Sequence, residues 1–305
     1  MRTPAPLPAP LDGSPFLVAD ALRAGVTPAR LRSSDLVMPF HGVRAASADS
    51  LLELAGAYAV RMPAHHAYGG ITAGRIWGFP LPTDWTPGEA LVVARPTGTT
   101  RGRSQGTTHI AVDARLRATI HRGLPVLAPA ATAVTLGRVL EHEHLVHVVD
   151  ALLATSWNYP DLDLPRRPHA TVDELTTFLA RCVGVPGVPA LRAALDDARA
   201  GVESRFESIT RRCIVLAGLP EPVVHPLVVV DGIALHPDLG YPDLRIAIEY
   251  EGDGHREAGR WDRDIDRYAR LEAAGWIVVR ITKAHLARGG DRAIRRVEAA
   301  IARRR

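Results

Sequence analysis

The sequence predicts an α/β chain overall (α+β) that is built from more than one domain, and three observations carry that prediction. Its 305 residues exceed the roughly 100–200 of a single domain. Apolar residues recur at helical spacing in some stretches and alternate with period two in others. A composition of 47% hydrophobic and 23% charged residues is that of a chain with a core rather than a disordered one. The predicted parts are an N-terminal module over residues 12–48, a mixed α/β middle domain over 49–155, a helical connector over 156–200 and a C-terminal αβ sandwich over 201–305.

Composition also narrows the setting. No apolar run approaches the roughly 20 residues that span a bilayer, and the opening residues are proline-rich rather than a leader, so a cytoplasmic protein is expected. Cys182 and Cys213 have no paired spacing and read as buried fillers, not as a disulfide or a zinc site. A net charge of +4 permits nucleic-acid binding without demanding it, because a committed binder concentrates its basic residues. Lys283 is the only lysine, so nearly all positive charge is arginine.

Within the first part, Pro15 to Ala24 carries Phe16, Leu17, Ala21 and Leu22 at helical spacing and stops at Gly25. Thr27 followed by Pro28 is an N-cap with a first-turn proline, which predicts a second short helix to Ser33 with Arg30 and Arg32 facing outward. Leu36 to Ala45 alternates around Gly42 like a small hairpin. Helix, turn, basic helix and hairpin outline a winged helix-turn-helix that would lay its second helix in the DNA major groove, with Arg30, Arg32 and Arg44 toward nucleic acid. A small helical cap with surface arginines is the plainer reading.

The middle part begins with an alanine-rich helix, Leu51 to Met62, and continues with strands predicted from Glu89 to Ala94 and from Thr108 to Val112. The intervening hairpin holds Arg95, Arg101 and Arg103, which could touch phosphate or merely be solvated. A connector rich in Pro, Asp and Arg follows from Ser156, then helical stretches from Thr171 to Val183 and from Ala190 to Ala200.

Chemistry concentrates after Gly201. A helix from Glu203 to Ala217 sets Glu203 and Glu207 one turn apart, so that one of them can reach a site. Val223 to Val230 reads as a strand, Asp231-Gly232 as a tight hairpin turn, and Ile233 to Asp238 as the returning strand, closed by Asp238. Leu244 to Glu251 alternates, with Ile246, Ile248 and Tyr250 on the core face and Arg245, Ala247, Glu249 and Glu251 on the other. Two carboxylates side by side repel unless a positive charge lies between them. A hard divalent cation does this, and Asp238, Glu249 and Glu251 would hold Mg²⁺, or Mn²⁺ in its place. The following turn delivers His255 as a base or proton shuttle and Arg256 as a partner for developing phosphate charge. The pattern points to phosphodiester hydrolysis. The alternative is an acidic strand end paired with nearby arginines such as Arg245 and Arg280. Beyond it, Arg260 to Ala274 is an amphipathic helix whose Arg263, Arg267 and Arg270 are expected on a solvated face.

Two resemblances overlie this reading. The segments Ala19-Asp20-Ala21-Leu22, Arg30-Leu31-Arg32 and His41-Gly42-Val43-Arg44 resemble the N-terminal domain of AbiEi-type antitoxins. In the middle part, Ile71-Thr72-Ala73, Trp77-Gly78-Phe79-Pro80-Leu81-Pro82 and Gly123-Leu124-Pro125-Val126 extend that likeness. It departs from Ala128 to Thr135, which lacks the arginine and the acid of relatives. The stretch Glu249-Tyr250-Glu251-Gly252-Asp253-Gly254-His255-Arg256, with Pro237-Asp238 before it and Gly275-Trp276-Ile277-Val278-Val279 after it, looks like the Vsr-like nucleases of the PD-(D/E)xK superfamily. That resemblance implies a nuclease-type αβ sandwich in which Glu207, Asp238, Glu249 and Glu251 take the acidic positions and His255 the histidine position. Glu251 stands where the superfamily's lysine would be, and Lys283 lies too far along to replace it.

The combined expectation is a divalent-metal-dependent endonuclease acting on DNA, with an N-terminal recognition module. Cutting both strands would call for a homodimer. The competing expectation is a non-catalytic DNA-binding regulator of antitoxin type, partnered by a cognate toxin, that keeps a nuclease fold as scaffold.

Overall fold

The computed structural model describes residues 4–99, 104–157, 159, 161–252 and 267–305 and is mixed α/β with several sheets. The chain divides into two compact units, one of Met1–Glu141 with Thr177–Leu191 and one of His142–Thr176 with Arg192–Arg305. Among the described residues no helix is long and apolar enough to cross a membrane.

The first unit opens with β1 (Phe16–Leu17), which runs into α1 (Val18–Arg23) and pairs antiparallel with β2 (Val43–Arg44). Leu11, Phe16, Ala21, Val26 and Leu31 form a small core beneath them. The second helix expected after Thr27 is a single 3-10 turn, Arg30–Arg32, whose N-cap is Ala29 rather than Thr27, although the Thr27 hydroxyl accepts the Arg30 N–H at 3.2 Å. So short a segment makes too few hydrogen bonds to offset helix nucleation. The hairpin expected from Leu36 to Ala45 is reduced to one bridge between Val37 and Ala45, because Val43 and Arg44 pair with β1 instead.

Farther along, α2 (Leu51–Ala59) starts on a capping box of Ser50 and Glu53. A five-stranded sheet follows from β3 (Ala67–Tyr68), β4 (Leu91–Pro96), β5 (Thr107–Val112), β6 (Ala118–His121) and β7 (Leu124–Leu127), in the order β5-β4-β3-β7-β6. The hairpin expected between β4 and β5 is corrected: the two strands pair in parallel, Leu91 beside Thr107 through Pro96 beside Val112. The Thr97 N–H donates to the carbonyl of Val112 at 3.0 Å. The chain therefore leaves β4 beside the far end of β5 and must return along the strand's length before β5 begins. Helices α3 (Gly70–Ile76) and α4 (Pro129–Leu136) pack together, and buried Trp77 donates its indole N–H to the Leu127 carbonyl at 2.8 Å.

The second unit contains α5 (His142–Leu153), while α6 (Val172–Arg181) and α7 (Val188–Asp197) each cross the division. Helix α8 (Arg205–Leu216) starts at Arg205 rather than Glu203, because Ser204 caps it by accepting the Glu207 N–H at 3.2 Å. It is anchored to α5 by a buried ion pair. Arg211 and Asp150 both have fully buried side chains and lie 3.2 Å apart; Asp150 also accepts the Ser208 hydroxyl at 2.5 Å, and Arg211 donates to Glu221 at 2.7 Å.

The strand expected from Val223 to Val230 is broken into β8 (Val223–Val224) and β9 (Val228–Val230), since His225 adopts φ 43° and Pro226 has no N–H to donate. Asp231 at φ 50° and Gly232 at φ 77° make the turn into β10 (Ile233–Leu235), both left-handed as a type I′ hairpin requires. Asp238 does not close that hairpin; it directly precedes β11 (Leu239–Tyr241). Strand β12 (Ile246–Glu251) begins after Arg245, which ends a 3-10 turn at φ 49°. With β13 (Ile277–Thr282) these strands form a four-stranded sheet in the order β13-β12-β11-β8, parallel between β12 and β13 and antiparallel elsewhere.

Both faces of this sheet are covered. On one, Ile246, Ile248, Leu239 and Ile281 pack with Ile214 of α8 and with Val297 and Ile301 of α11 (Asp291–Ala302). On the other, Ala247 packs with Val228, Val230 and Leu235 of the hairpin and with Leu271 of α9 (residues 267–273). The predicted alternation along β12 holds, and α10 (Lys283–Leu286) follows β13.

Candidate active site

Register assembles the site. Leu239 lies across from Ile248 and from Val224, so one step back Asp238 falls across from Glu249 on one side and His225 on the other. Glu249 in turn lies beside Arg280 on β13. Asp238, just before β11, thus lines up with Glu249 and Arg280 on one sheet face, and His225, just after β8, lies across from Asp238 on the other side. Two backbone bonds hold the row: the His225 N–H donates to the Asp238 carbonyl at 3.1 Å, and the Tyr250 N–H donates to Asp238 Oδ2 at 2.7 Å.

Glu207 reaches the row from α8. Its Oε2 accepts the Glu203 N–H at 2.8 Å and lies 3.1 Å from His225 Nε2. Phe206, next to it, stacks on Tyr250 with ring centroids 4.5 Å apart, which fixes the first turn of α8 against the end of β12.

The electrostatics follow from these placements. Burial and then the charge of Glu207 push the Asp238 carboxyl up to about 7, against the opposing pull of the Tyr250 N–H, Arg267 and His225. Burial works against a charged His225, but the hydrogen bond and charge of Glu207 outweigh it, so the imidazole is raised above its ordinary value. Glu249 is almost fully buried at 1% side-chain exposure and receives Arg267 Nη2 at 2.7 Å. Glu251 pairs with Arg280. Both Arg267 and Arg280 lie over the ring of Tyr268, at 5.2 and 5.4 Å from its centroid.

Of the residues expected in the site, Asp238, Glu249 and Glu207 come together, and Glu251 stands at the rim beside Arg280. His255 and Arg256 lie outside the described residues, as do Arg101, Arg103 and Arg263. Arg267, expected on a solvated face, is instead part-buried and neutralises Glu249. His225 was not anticipated; a histidine just before a proline, at a break between two valine-rich strands, was the signal available.

A metal can be weighed against this donor set. Among the described residues no group of three His, Cys, Asp or Glu side chains could hold a metal ion. Asp238 and Glu249 nonetheless stand in register, and the Asp238 carboxyl is raised by its burial first and by the charge of Glu207 second. Mg²⁺ is commonly held by one or two carboxylates and completes its shell with water and phosphate, so this pair suits it.

In the first unit, Arg30 is not outward. Its side chain is 12% exposed and is held by Asp35 at 2.8 Å and by the Ala5 carbonyl. Arg44 donates to the Leu31 and Val43 carbonyls at 2.8 and 2.9 Å. Arg32 is exposed.

The chain matches no protein-family model. It is 29% identical over 256 residues to two uncharacterized proteins of Mycobacterium tuberculosis, Rv2248 of strain H37Rv and MT2308 of strain CDC 1551, covering 83% of this chain and 87% of each relative. Among solved structures it is similar to the RV2827C protein of Mycobacterium tuberculosis, with 15% identity, a TM-score of 0.42, and coverage of 70% of this chain and 83% of that one.

Proposed function

We propose that the second unit is a divalent-metal-dependent endonuclease of Vsr-like, PD-(D/E)xK type acting on DNA, and that the N-terminal residues serve it as a recognition module without the recognition helix of a winged helix, whose place is taken by the 3-10 turn Arg30–Arg32. The observation that carries this reading is the in-register pair of Asp238 and Glu249 on one sheet face, with Glu207 brought to the same place by α8. Asp238 and Glu249 would hold Mg²⁺ or Mn²⁺. When bound, such an ion supplies Lewis acidity toward a phosphodiester oxygen and a more acidic water. The chain's own groups do the rest. Tyr250 orients the Asp238 carboxylate through its backbone N–H, and Glu207 with His225 forms a proton-accepting pair beside it. Among the described residues Arg267 pairs with Glu249 and Arg280 with Glu251, and these are positive groups at the site in the absence of a lysine at the position of Glu251. Plasmid nicking with Mg²⁺ or Mn²⁺ tests the proposal: the wild type should cut and Asp238→Ala should not.

A second reading has its own support. Arg267 on Glu249 and Arg280 on Glu251 are the ion pairs of a scaffold that needs no metal, which favours a DNA-binding regulator of AbiEi type. Sequence-specific binding to its own promoter with no cutting under any divalent ion would support that reading and overturn the first.

A further inference from the structure

Residues 283–305 contain eight basic residues and two acidic ones, whereas the whole chain contains 37 Lys and Arg against 33 Asp and Glu. The rest of the chain therefore carries a small net negative charge, and its positive excess is gathered on α10, α11 and the residues after them.

That charge is displayed on one side. Ala293, Val297, Ala300 and Ile301 of α11 face the sheet, while Arg292, Arg296 and Arg303, four and seven positions apart, share an exposed flank with Arg295 beside them. The two acids of this segment, Asp291 and Glu298, lie four and three positions from Arg295, on the side of it away from Arg292, Arg296 and Arg303. Elsewhere many arginines are engaged, with Arg23, Arg30, Arg75, Arg115, Arg166, Arg199, Arg267 and Arg280 all in ion pairs, whereas Arg32, Arg117, Arg181, Arg192 and Arg270 are exposed but scattered along the chain. Lys283, Arg288, Arg292, Arg295, Arg296 and Arg303 are all exposed, and none forms an ion pair with a described residue. A row of exposed, unneutralised guanidinium groups is the footprint of a polyanion.

The flank also leads to the candidate site. Glu251 lies beside Thr282 in the β12–β13 register, Lys283 follows at once, and His285 Nδ1 accepts the Thr282 N–H at 3.1 Å. The His285 ring is lowered by burial and by Arg296 and Arg292, and raised by Glu251, so the basic flank and the site's rim act on one side chain.

We propose that the exposed flank of α10 and α11, centred on Arg292, Arg295 and Arg296, is a duplex-DNA phosphate track that meets the rim of the candidate site at Glu251. It deepens the endonuclease reading and rests on its choice of DNA, but not on cleavage. Binding of the full chain to a fluorescein-labelled duplex is read by anisotropy in EDTA, across a salt series. Replacing three phosphate contacts should make the slope of log K against log salt shallower by about 2–3. The triple variant R292Q/R295Q/R296Q is expected to show that change and at least tenfold weaker binding at low salt. The pair D291N/E298Q, which only raises the helix's positive charge, should bind more tightly. An unchanged salt slope in the triple variant overturns the track, as does a wild type that fails to bind duplex DNA or prefers single-stranded RNA or phosphatidylserine vesicles. A chain that binds through this flank yet never cuts overturns the endonuclease alone, and one that cuts and binds normally without these arginines overturns the track alone.

Discussion

Arg267 donates to the buried carboxylate of Glu249 at 2.7 Å, so the residue best placed to share a metal with Asp238 is already balanced by a guanidinium. An arginine and a divalent ion satisfy the same negative charge, and the two can be told apart by removing one and adding the other.

Arg267→Met keeps much of the apolar stem and removes the charge. Leaving Glu249 in its buried position without Arg267 should cost roughly 3 kcal/mol, somewhat eased by the partial exposure of the pair. Thermal melts with and without Mg²⁺ measure this, and Mg²⁺ should restore more stability to the variant than it adds to the wild type. Equal Mg²⁺ responses would remove the case for a cation at Glu249.

Asp238 makes stability depend on pH. Its folded value, about 7, lies above the ordinary 3.8, so the folded state holds this proton more tightly than the unfolded state. The contribution is fully present below about pH 4 and is lost as pH rises through about 7. His225, also raised, acts in the same direction from 6.5 upward. Asp238→Asn should flatten the fall in melting temperature between these limits and leave a more stable protein at pH 8; a variant with the wild-type pH profile would contradict the placement.

Proton and metal compete for the same oxygens. Mg²⁺ should therefore raise the melting temperature more at pH 8 than at pH 6 in the wild type, and by the same small amount at both in Asp238→Asn. A uniform Mg²⁺ effect across pH in the wild type would argue for ions bound elsewhere.

The Arg211–Asp150 pair anchors α8, and with it Glu207. Arg211→Leu strands Asp150, whose carboxyl burial already pushes upward, and should destabilise by about 3–5 kcal/mol in chemical denaturation. Asp150→Leu combined with Arg211→Leu should recover part of that loss, since no uncompensated charge then remains buried. If the double variant is as unstable as the single one, the pair is not the anchor.

Local chemistry was legible where a short stretch sets its own conformation. The alternation of Ile246, Ile248 and Tyr250 against Ala247 and Glu249 and the Asp231-Gly232 turn follow from neighbouring residues alone. Expectations failed where a distant partner competes. Val43 and Arg44 leave their expected hairpin for β1, β5 lies parallel to β4, and Arg30 turns inward to Asp35. The concentrated charge of α11 was present in the sequence, but a whole-chain net charge of +4 dilutes it.

By itself the sequence determined which residues bear chemistry: a cluster of carboxylates on a strand, an arginine-rich end and almost no lysine. Only the tertiary structure decided which of them meet. Pairing register across β8, β11, β12 and β13 lines Asp238 up with Glu249 and Arg280 and sets His225 across from it, and docking of α8 and α9 brings Glu207 and Arg267 to them. Hydrogen bonding between strands far apart in the chain carries no local periodic signal, so these encounters arise when the sheet closes rather than from any one segment.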